Sequence, residues 1–354
     1  MEIKIAENIR RLRKEKKLTQ EQLAEVFGVT VGAVHKWEAG LSVPDIRIIM
    51  DMADYFDLSV DVLLGYEMKD NGPEAVIKRI QKNLDEKNPD GVEEAEKALS
   101  KYPNNFMVVT SSALFYLVIG PYDEKRYYKR AYELFEKALL LIDQKGNSGI
   151  SEMSIYSYMA QAKLMLGEGD EAVEILKKNN CKGIYNDIIG YTLTSFCHKH
   201  DEAEFFLSYS LIQSLRNLTE MALGMANVYI SREYYESAEQ IIKWFITITD
   251  GLEKEDTFSI LDKYKAVALS LLAYVYLKSI HATKAVSTYK TALEVAKAYD
   301  AYPNYDANSI RFVKLPSGSV HDLLGKSALD GIEKVFEIVN DDKTVAKLKR
   351  LAAE

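Results

Sequence analysis

The sequence has little of what a disulfide-bonded, metal-binding or membrane protein needs. Its 354 residues include two cysteines, Cys181 and Cys197, which cannot form a disulfide framework and match no zinc spacing. The amino terminus lacks the apolar core of a signal peptide. The longest apolar run, Phe106–Gly120, is too short to span a bilayer. These absences predict a cytoplasmic protein with no cofactor, no bound metal and no membrane association.

Positive charge is also outnumbered by negative charge. The chain carries 45 Lys and Arg against 53 Asp and Glu, a formal net charge of −8, which excludes a positive coat that binds nucleic acid indiscriminately. With five histidines and no nucleophile motif, the chain is predicted not to be an enzyme. The run "LGEGDEA" resembles the start of a dinucleotide fingerprint but follows a helical pattern, which favours a turn. In "CHKH", residues two apart on a helix point away from each other, which argues against a metal site.

What is present begins with short amphipathic segments at the amino terminus. Apolar residues at helical spacing from Ile5 to Leu12 predict a helix over 5–16. The run "TQEQ", which starts at Thr19, predicts a capping box. A second helix should therefore follow over about 20–27.

A sharp turn and a third helix come next. Gly28 can supply the positive φ that the turn needs, and Thr30 can cap a helix over about 31–39. Val34 and Trp37 then point inward. Two short helices joined by so tight a turn predict a helix-turn-helix.

These segments resemble the helix-turn-helix of the lambda-repressor/Cro-like (XRE) family. The resemblance covers about residues 3–65 and includes "LTQEQLA", "GVT" and the closing "FDLSVDVLLG". It implies a DNA-binding head of five short helices over residues 1–66. It also implies a partly buried pair between Arg13 and Glu38, with a structural role.

The same resemblance implies a DNA-binding face around the turn and the third helix. That face consists of Gln20, Thr30, Val31, Gly32, His35 and Lys36. Gln20 and Thr30 would bind phosphates, and the others would enter the major groove. Val31 and Gly32 depart from the family's usual polar pair. Val31 could touch a thymine methyl and Gly32 could let the backbone approach closely, or Gly32 is merely tolerated despite a helix penalty of about 1 kcal/mol.

A basic run supports DNA binding more locally. Six cations cluster within "RRLRKEKK", namely Arg10, Arg11, Arg13, Lys14, Lys16 and Lys17. Such a run is either a solvated helix face or, beside a helix-turn-helix, a flank for phosphates. Because one acidic head with one basic edge would bind DNA weakly, a homodimer that spans two half-sites is expected.

The rest of the chain is predicted to be all-α. A polar stretch over 67–75, with Gly72 and Pro73, is typical of a linker. From 76 to 354 amphipathic segments alternate with turn sequences, and no stretch alternates at the period of a strand.

Within 76–354 a small residue followed four positions later by a large apolar one recurs six times. The pairs are Ala95/Leu99, Ala131/Phe135, Ala172/Leu176, Ala203/Leu207, Ala238/Ile242 and Ala285/Tyr289. The pattern resembles the tetratricopeptide (TPR) repeat. It implies a right-handed α-solenoid of helical hairpins, with a groove lined by the first helix of each hairpin. Residues 317–354 would form a terminal capping pair or a dimer contact.

The groove-facing positions that this pattern predicts form a candidate peptide-binding stripe. They are Ser157, Gln161, Tyr185, Thr192, Asn227, Ser231, Tyr274 and Lys278. Carboxamides such as those of Gln161 and Asn227 can bond both the N–H and the C=O of an extended peptide. The alternative is that these are ordinary exposed polar residues.

Head and repeats together resemble the RRNPP group of peptide-pheromone-sensing regulators of Gram-positive bacteria. The resemblance implies a homodimer that binds an operator in double-stranded DNA, with a short linear peptide in the groove that alters this binding. Two alternatives remain open. In one, the repeats of a DNA-binding repressor serve only dimerisation. In the other, the chain is a protein-sequestering adaptor whose head has lost strong affinity for DNA.

Overall fold

The computed structural model describes residues 4–66 and 71–354. Over these residues the backbone forms 18 α-helices, and its only extended pairing is an isolated bridge between Asp306 and Ser319. The all-α prediction is therefore confirmed. The chain divides into two compact units, Met1–Arg79 and Ile80–Glu354. The predicted linker over 67–75 stays a prediction, because residues 67–70 lie outside the described ones.

The amino-terminal unit contains the five short helices expected of the head. They are α1 (Ile5–Glu15), α2 (Gln20–Val26), α3 (Val31–Glu38), α4 (Ile46–Tyr55) and α5 (Val60–Leu64). Side-chain caps define where four of them begin. Thr19 forms the predicted capping box with Gln22, and Thr30, Asp45 and Ser59 each accept a backbone N–H of the helix that follows. Because such caps satisfy otherwise unpaired amides, the local sequence alone sets these helix starts.

One apolar core holds the five helices of the head together. Ile9 of α1, Leu23 of α2, Val34 of α3, Met52 of α4 and Leu63 of α5 are all fully buried in it. Each lies on the apolar face of its helix, so that the opposite faces remain exposed. The head is thus a small unit with its own core.

The carboxy-terminal unit is a series of longer helices. α6 (Pro73–Asp85) contains the boundary between the units, and it is followed by α7 (Val92–Lys101), α8 (Phe106–Ile119), α9 (Glu124–Leu140), α10 (Glu152–Met165), α11 (Gly169–Lys178), α12 (Asn186–Ser195), α13 (His200–Ser231), α14 (Tyr235–Gly251), α15 (Ile260–Lys278), α16 (Ala282–Ala301), α17 (Ala328–Val339) and α18 (Asp342–Ala353). From α7 to α16 each helix packs against the next one along the chain. Packing in chain order is the arrangement of an α-solenoid.

The repeating alanines mark the buried helix crossings of this unit. Ala95, Ala131, Ala172, Ala203, Ala238 and Ala285 are each 0% exposed. Five of the large apolar partners four positions later are buried too, whereas Leu207 is 39% exposed. A small side chain at these positions lets two helices approach closely, which is the physical reason for the sequence pattern.

Four of the turns between paired helices share one backbone geometry. Gly167, His198, Glu233 and Ile280 all have positive φ, between 55° and 80°. Each lies five residues before one of the buried alanines, and the N–H of that alanine donates to the carbonyl of the residue after the positive-φ position. The repeat is therefore more regular in its backbone than in its sequence, because four different residue types occupy the same turn position.

The helix α13 is the exception to the hairpin pattern. It runs without interruption for 32 residues, and its two ends lie in different cores. Ala203 packs with residues of α11 and α12, whereas Leu215 and Ala226 pack with residues of α14 and α15. One helix thus serves as the second helix of one pair and the first helix of the next.

The last two helices close the carboxy-terminal end of the solenoid. Both α17 and α18 pack against α15 and α16, and this packing leaves α15 almost entirely buried. The loop before α17 adds a buried ion pair, in which Nζ of Lys263 lies 3.0 and 2.9 Å from the two carboxylate oxygens of Asp322. Residues 317–354 therefore include a terminal pair of helices, as predicted.

Candidate functional site

The outward face of α3 carries most of the predicted DNA-binding residues. Thr30 Oγ1 accepts the N–H of Ala33 at 3.2 Å and so starts the helix. Val34 and Trp37 are buried in the core of the head. This orientation leaves Thr30, Val31, Gly32, His35 and Lys36 exposed on the opposite side, where a major groove could receive them.

A bidentate ion pair fixes α3 to α1. Arg13 donates from Nε to Glu38 Oε1 at 2.6 Å and from Nη2 to Glu38 Oε2 at 2.9 Å, and its Nη1 donates to the carbonyl of Leu18 at 2.8 Å. The side chains of the pair are 13% and 4% exposed. The predicted partly buried pair of Arg13 and Glu38 is therefore present, and it fixes the orientation of α3 against α1.

Gln20 is part of the same network. Its Nε2 donates to Glu38 Oε2 at 2.9 Å, which uses one of its two N–H groups. Burial by itself would raise the pKa of the Glu38 carboxyl, but the hydrogen bonds from Arg13 and Gln20 outweigh burial and hold that pKa below its usual value. The carboxylate is therefore charged wherever the head is folded near neutral pH.

The basic run on α1 is only partly available to DNA. Arg13 is used by the pair with Glu38, and Arg11 lies 2.9 Å from Glu15. Arg10, Lys14 and Lys17 are exposed, and no carboxylate in the described part of the chain lies within ion-pair distance of them. These three residues form the free basic edge of the head.

Gly32 is not required by the protein's own packing. A Cβ built at this position meets no atom within 4 Å, and the residue lies inside α3 with no positive φ. Any need for glycine must therefore come from a bound partner, and otherwise Gly32 is only tolerated.

Three of the predicted groove residues are buried, and the prediction that they line an open groove is wrong. Tyr185 and Tyr274 are 3% and 2% exposed, and Thr192 is 0% exposed. Tyr185 donates its hydroxyl to the carbonyl of Met153 and belongs to the core formed by α10 to α13. For Thr192 the physical reason is the helix phase, since the side of α12 that carries it faces the core. Its exposed side carries Asp187 and Tyr191 instead.

The stripe is closed at α15 by the protein's own carboxy-terminal helices. Asp341 accepts the hydroxyl of Tyr274 at 2.9 Å and Nζ of Lys278 at 3.2 Å. Burial alone would raise the pKa of Asp341, but hydrogen bonds from Thr344, Tyr274 and Lys278 hold this pKa well below its usual range. Lys278 is therefore engaged in an internal ion pair, which sequence reasoning missed because Asp341 lies far along the chain.

The other four predicted groove residues are exposed or half-buried. Ser157 and Asn227 are half-buried, and Gln161 and Ser231 are exposed. Ser231 donates its hydroxyl to the carbonyl of Val228 at 2.9 Å. The side-chain oxygen of Asn227 is buried and has no hydrogen-bond partner. Such an atom is uncommon in a folded protein and calls for an explanation.

Residues 4–66 and 71–354 also lack two features of other protein classes. No helix there is both long enough and apolar enough to cross a membrane. Among the same residues, no group of three or more His, Cys, Asp and Glu side chains is placed to hold a metal ion.

Five short helices around one core, with a capped third helix that faces outward, define a helix-turn-helix head. The Helix-turn-helix family matches residues 9–63. The cryptic phage CTXphi transcriptional repressor RstR of Vibrio cholerae is 30% identical over 108 residues, which make up 30% of this chain and 89% of that protein. The chain belongs to the helix-turn-helix family of transcriptional regulators.

Other similar proteins share only part of their length with this chain. The HTH-type transcriptional regulator YqaE of Bacillus subtilis is 37% identical over 62 residues, 18% of this chain and 53% of that protein. The chain therefore spans about half the length of YqaE. The crystal structure of Bacillus thuringiensis PlcR in complex with the peptide PapR7 and DNA overlaps 86% of this chain and 100% of that chain, with 14% identity and a TM-score of 0.22. An overlap at this score does not define a common fold, so the family assignment rests on the head.

Proposed function

We propose that this chain is a sequence-specific transcriptional regulator that binds an operator in double-stranded DNA through α3. The observation that carries the proposal is the exposed face of α3, held in place by the pair of Arg13 and Glu38. Thr30 and the remaining N–H of Gln20 contact phosphates. His35 and Lys36 enter the major groove, where Lys36 donates to a guanine edge or to a phosphate.

This face distinguishes base sequences only modestly, and the shape of the DNA contributes to the discrimination. Val31 offers only an apolar contact, for example to a thymine methyl, and Gly32 offers none through a side chain. Sequence-dependent DNA shape then supplies part of the discrimination. The free basic edge of Arg10, Lys14 and Lys17 adds phosphate contacts that weaken as the salt concentration rises.

The regulator acts as a homodimer in this proposal. One head offers a short reading helix and a small basic edge in a chain of net charge −8, which gives little affinity by itself. Two heads on half-sites about 34 Å apart, or one turn of DNA, roughly double the contact energy before the cost of dimerisation. The carboxy-terminal unit supplies the dimer contact.

The carboxy-terminal unit also binds a short linear peptide. We place this peptide on α10, α12 and the second half of α13, because α15 is covered by α17 and α18. The contacting residues are Ser157, Gln161, Asp187, Tyr191, Asn227 and Ser231. Asn227 is half-buried and its side-chain oxygen has no partner within the protein, so rotation of its amide toward the surface would let a peptide N–H supply the missing donor.

The peptide regulates DNA binding by favouring one arrangement of the dimer. A ligand shifts such an equilibrium only by its difference in affinity for the two arrangements. A difference of about 100-fold corresponds to about 2.7 kcal/mol, enough to move a balanced population almost entirely to one side.

The test is a titration of the full-length protein into fluorescent duplexes that tile the promoter DNA beside its gene. Saturable binding to one duplex, at low salt and in excess competitor DNA, is the expected result. Lys36→Ala should weaken that binding about tenfold, whereas Lys297→Ala, an exposed lysine of α16, should leave it unchanged.

Each rival gives a different result in this titration. Absence of a preferred duplex at low salt would exclude an operator there and favour the adaptor that sequesters a protein. The second rival, repeats that serve only dimerisation, predicts a dimer that binds one duplex specifically. Peptides encoded nearby would then neither alter this DNA binding nor bind the dimer in calorimetry.

A further inference from the structure

A cavity lies away from α3 and outside the proposed peptide surface. It has a volume of about 300 Å³ and is lined by residues of α7, α8 and α9. Its lining consists of two tyrosines, three cations and two carboxylates. Its size is at the lower end of ligand pockets, which span roughly 300–1,000 Å³.

The floor of this cavity is a fixed network of three side chains. Tyr116 of α8 is 2% exposed, and its hydroxyl donates to Glu96 Oε1 at 2.7 Å. Arg130 of α9 donates from Nε and Nη2 to the two oxygens of Glu96, both at 3.0 Å. Glu96 thus accepts three hydrogen bonds from two side chains, and the floor is formed before any ligand arrives.

The charges at the rim do not balance. Arg130 is the partner of both carboxylates of the cavity. Its Nη1 lies 3.6 Å from Glu133 Oε2, and its Nε and Nη2 donate to Glu96. Arg126 and Lys129 are exposed, and within the described ranges neither has a carboxylate at ion-pair distance. Two unpaired cations at the rim of one cavity are notable in a chain with an excess of acidic residues.

Aromatic rings border the same cations. The guanidinium carbon of Arg126 lies 5.8 Å from the ring centroid of Tyr127, and the rings of Tyr127 and Tyr116 have centroids 5.6 Å apart. A flat ligand could therefore stack beside Tyr127 while its charged end reaches the two cations.

We propose that this cavity binds a small anion that carries a carboxylate or a phosphate on a flat ring. Arg126 and Lys129 bind the anionic group, Tyr127 contacts the ring, and the network of Glu96, Tyr116 and Arg130 forms the rigid floor. The carboxylate of Glu96 excludes a second anionic group from the deep end, so a ligand with one charged end fits best. This site is separate from the peptide surface of the proposed function and does not depend on it.

The test is isothermal titration of the full-length protein with three probes at constant ionic strength: benzoate, phenyl phosphate and inorganic phosphate. Benzoate or phenyl phosphate should bind with a 1:1 stoichiometry, and inorganic phosphate should bind about tenfold more weakly because it has no ring. The stronger of the two aromatic probes identifies the anionic group. If neither aromatic probe binds up to tens of millimolar, or inorganic phosphate binds as well as both, the proposal is wrong.

Variants separate this site from general charge effects. Arg126→Ala with Lys129→Ala should weaken the aromatic probes about tenfold or more, and Tyr127→Leu should weaken them several-fold while leaving inorganic phosphate unchanged. The matched control removes two exposed lysines of α16, Lys290→Ala with Lys297→Ala, and should bind like the unmodified protein. Equal losses in the control and the rim variant would overturn the assignment, as would unchanged binding in a rim variant whose thermal unfolding is normal.

Discussion

The guanidinium of Arg13 spans both carboxylate oxygens of Glu38, at 2.6 and 2.9 Å. The contact joins α1 to the end of α3 and ties the basic helix to the helix that carries Thr30 to Lys36. Its partners are largely buried, so the loss of one should leave the other without compensation.

Replacing this carboxylate should therefore destabilise the head. We expect Glu38→Gln to lower the free energy of unfolding of the head by about 2–3 kcal/mol. Urea unfolding followed by the fluorescence of Trp37 measures this change if Trp244 of the other unit is replaced by Phe. Glu15→Gln, which removes a partner from an exposed pair, should cost less than about 0.5 kcal/mol, and an equal cost would contradict the structural role.

The same pair should make the stability of the head depend on pH. The pKa of Glu38 is lowered in the folded protein, so its contribution is complete above the unfolded pKa of about 4.3 and is lost as the pH falls through the lower folded value. The difference in unfolding free energy between the unmodified protein and Glu38→Gln should stay constant from pH 6 to about pH 5 and shrink as the pH falls further towards 3. A difference that stays constant over this range would show that the charge of Glu38 contributes nothing.

Gly32→Ala separates the two roles considered for this glycine. The added Cβ meets no atom of the protein, so the head should gain about 0.5–1 kcal/mol of stability from the better helix former. If the DNA backbone or a base approaches α3 closely at this point, operator affinity should fall about tenfold, and we expect that result. Unchanged affinity in a duplex titration would mean that Gly32 is only tolerated.

Asn227→Ala should weaken peptide binding without affecting DNA binding. The side-chain oxygen of Asn227 has no partner, and loss of one hydrogen bond to a peptide N–H should reduce affinity about tenfold. Calorimetry with the cognate peptide measures the effect. Asn217→Ala, an exposed residue of the same helix, is the control. Unchanged affinity in Asn227→Ala would remove α13 from the proposed peptide surface.

Ile280→Gly should stabilise the carboxy-terminal unit. Ile280 has φ of 64° and is 92% exposed, and left-handed backbone costs a residue with a Cβ about 1–2 kcal/mol. Part of this gain is offset by the greater freedom of glycine in the unfolded chain, which leaves about 0.5–1 kcal/mol. A rise in the unfolding midpoint in urea checks the prediction. Ser279→Gly, where φ is −85°, should lower the midpoint instead.

The parts of the fold that follow from local signals could be predicted from the sequence. Thr19 and Thr30 cap helices that begin at the next residue, and Gly28 forms the turn between α2 and α3 with positive φ. Each acts only on residues a few positions away. The alanine pattern likewise identified the buried crossings of the solenoid, because only a small side chain permits close approach there.

The predictions that failed depended on distant contacts or on helix phase. Helix α12 has apolar residues on both sides, among them Ile188 and Tyr191, so its sequence gives no clear buried face, and Thr192 was assigned to the wrong side. Asp341 bonds to Tyr274 across 67 positions of sequence, and no local pattern marks such a pair. The network of Glu96 and Arg130 was missed for the same reason.

The hairpin pattern implies a turn between Ala203 and Asn227, but the structure has one uninterrupted helix from His200 to Ser231. At a rise of 1.5 Å per residue, the 32 residues of α13 form a rod of about 48 Å. A loop between two repeats would absorb a change of angle on one side before it reached the other. Helix α13 has no such loop, so a tilt of its second half near Asn227 would also displace its first half, where Ala203 packs against α12. The two halves of the solenoid are therefore mechanically coupled through one continuous helix.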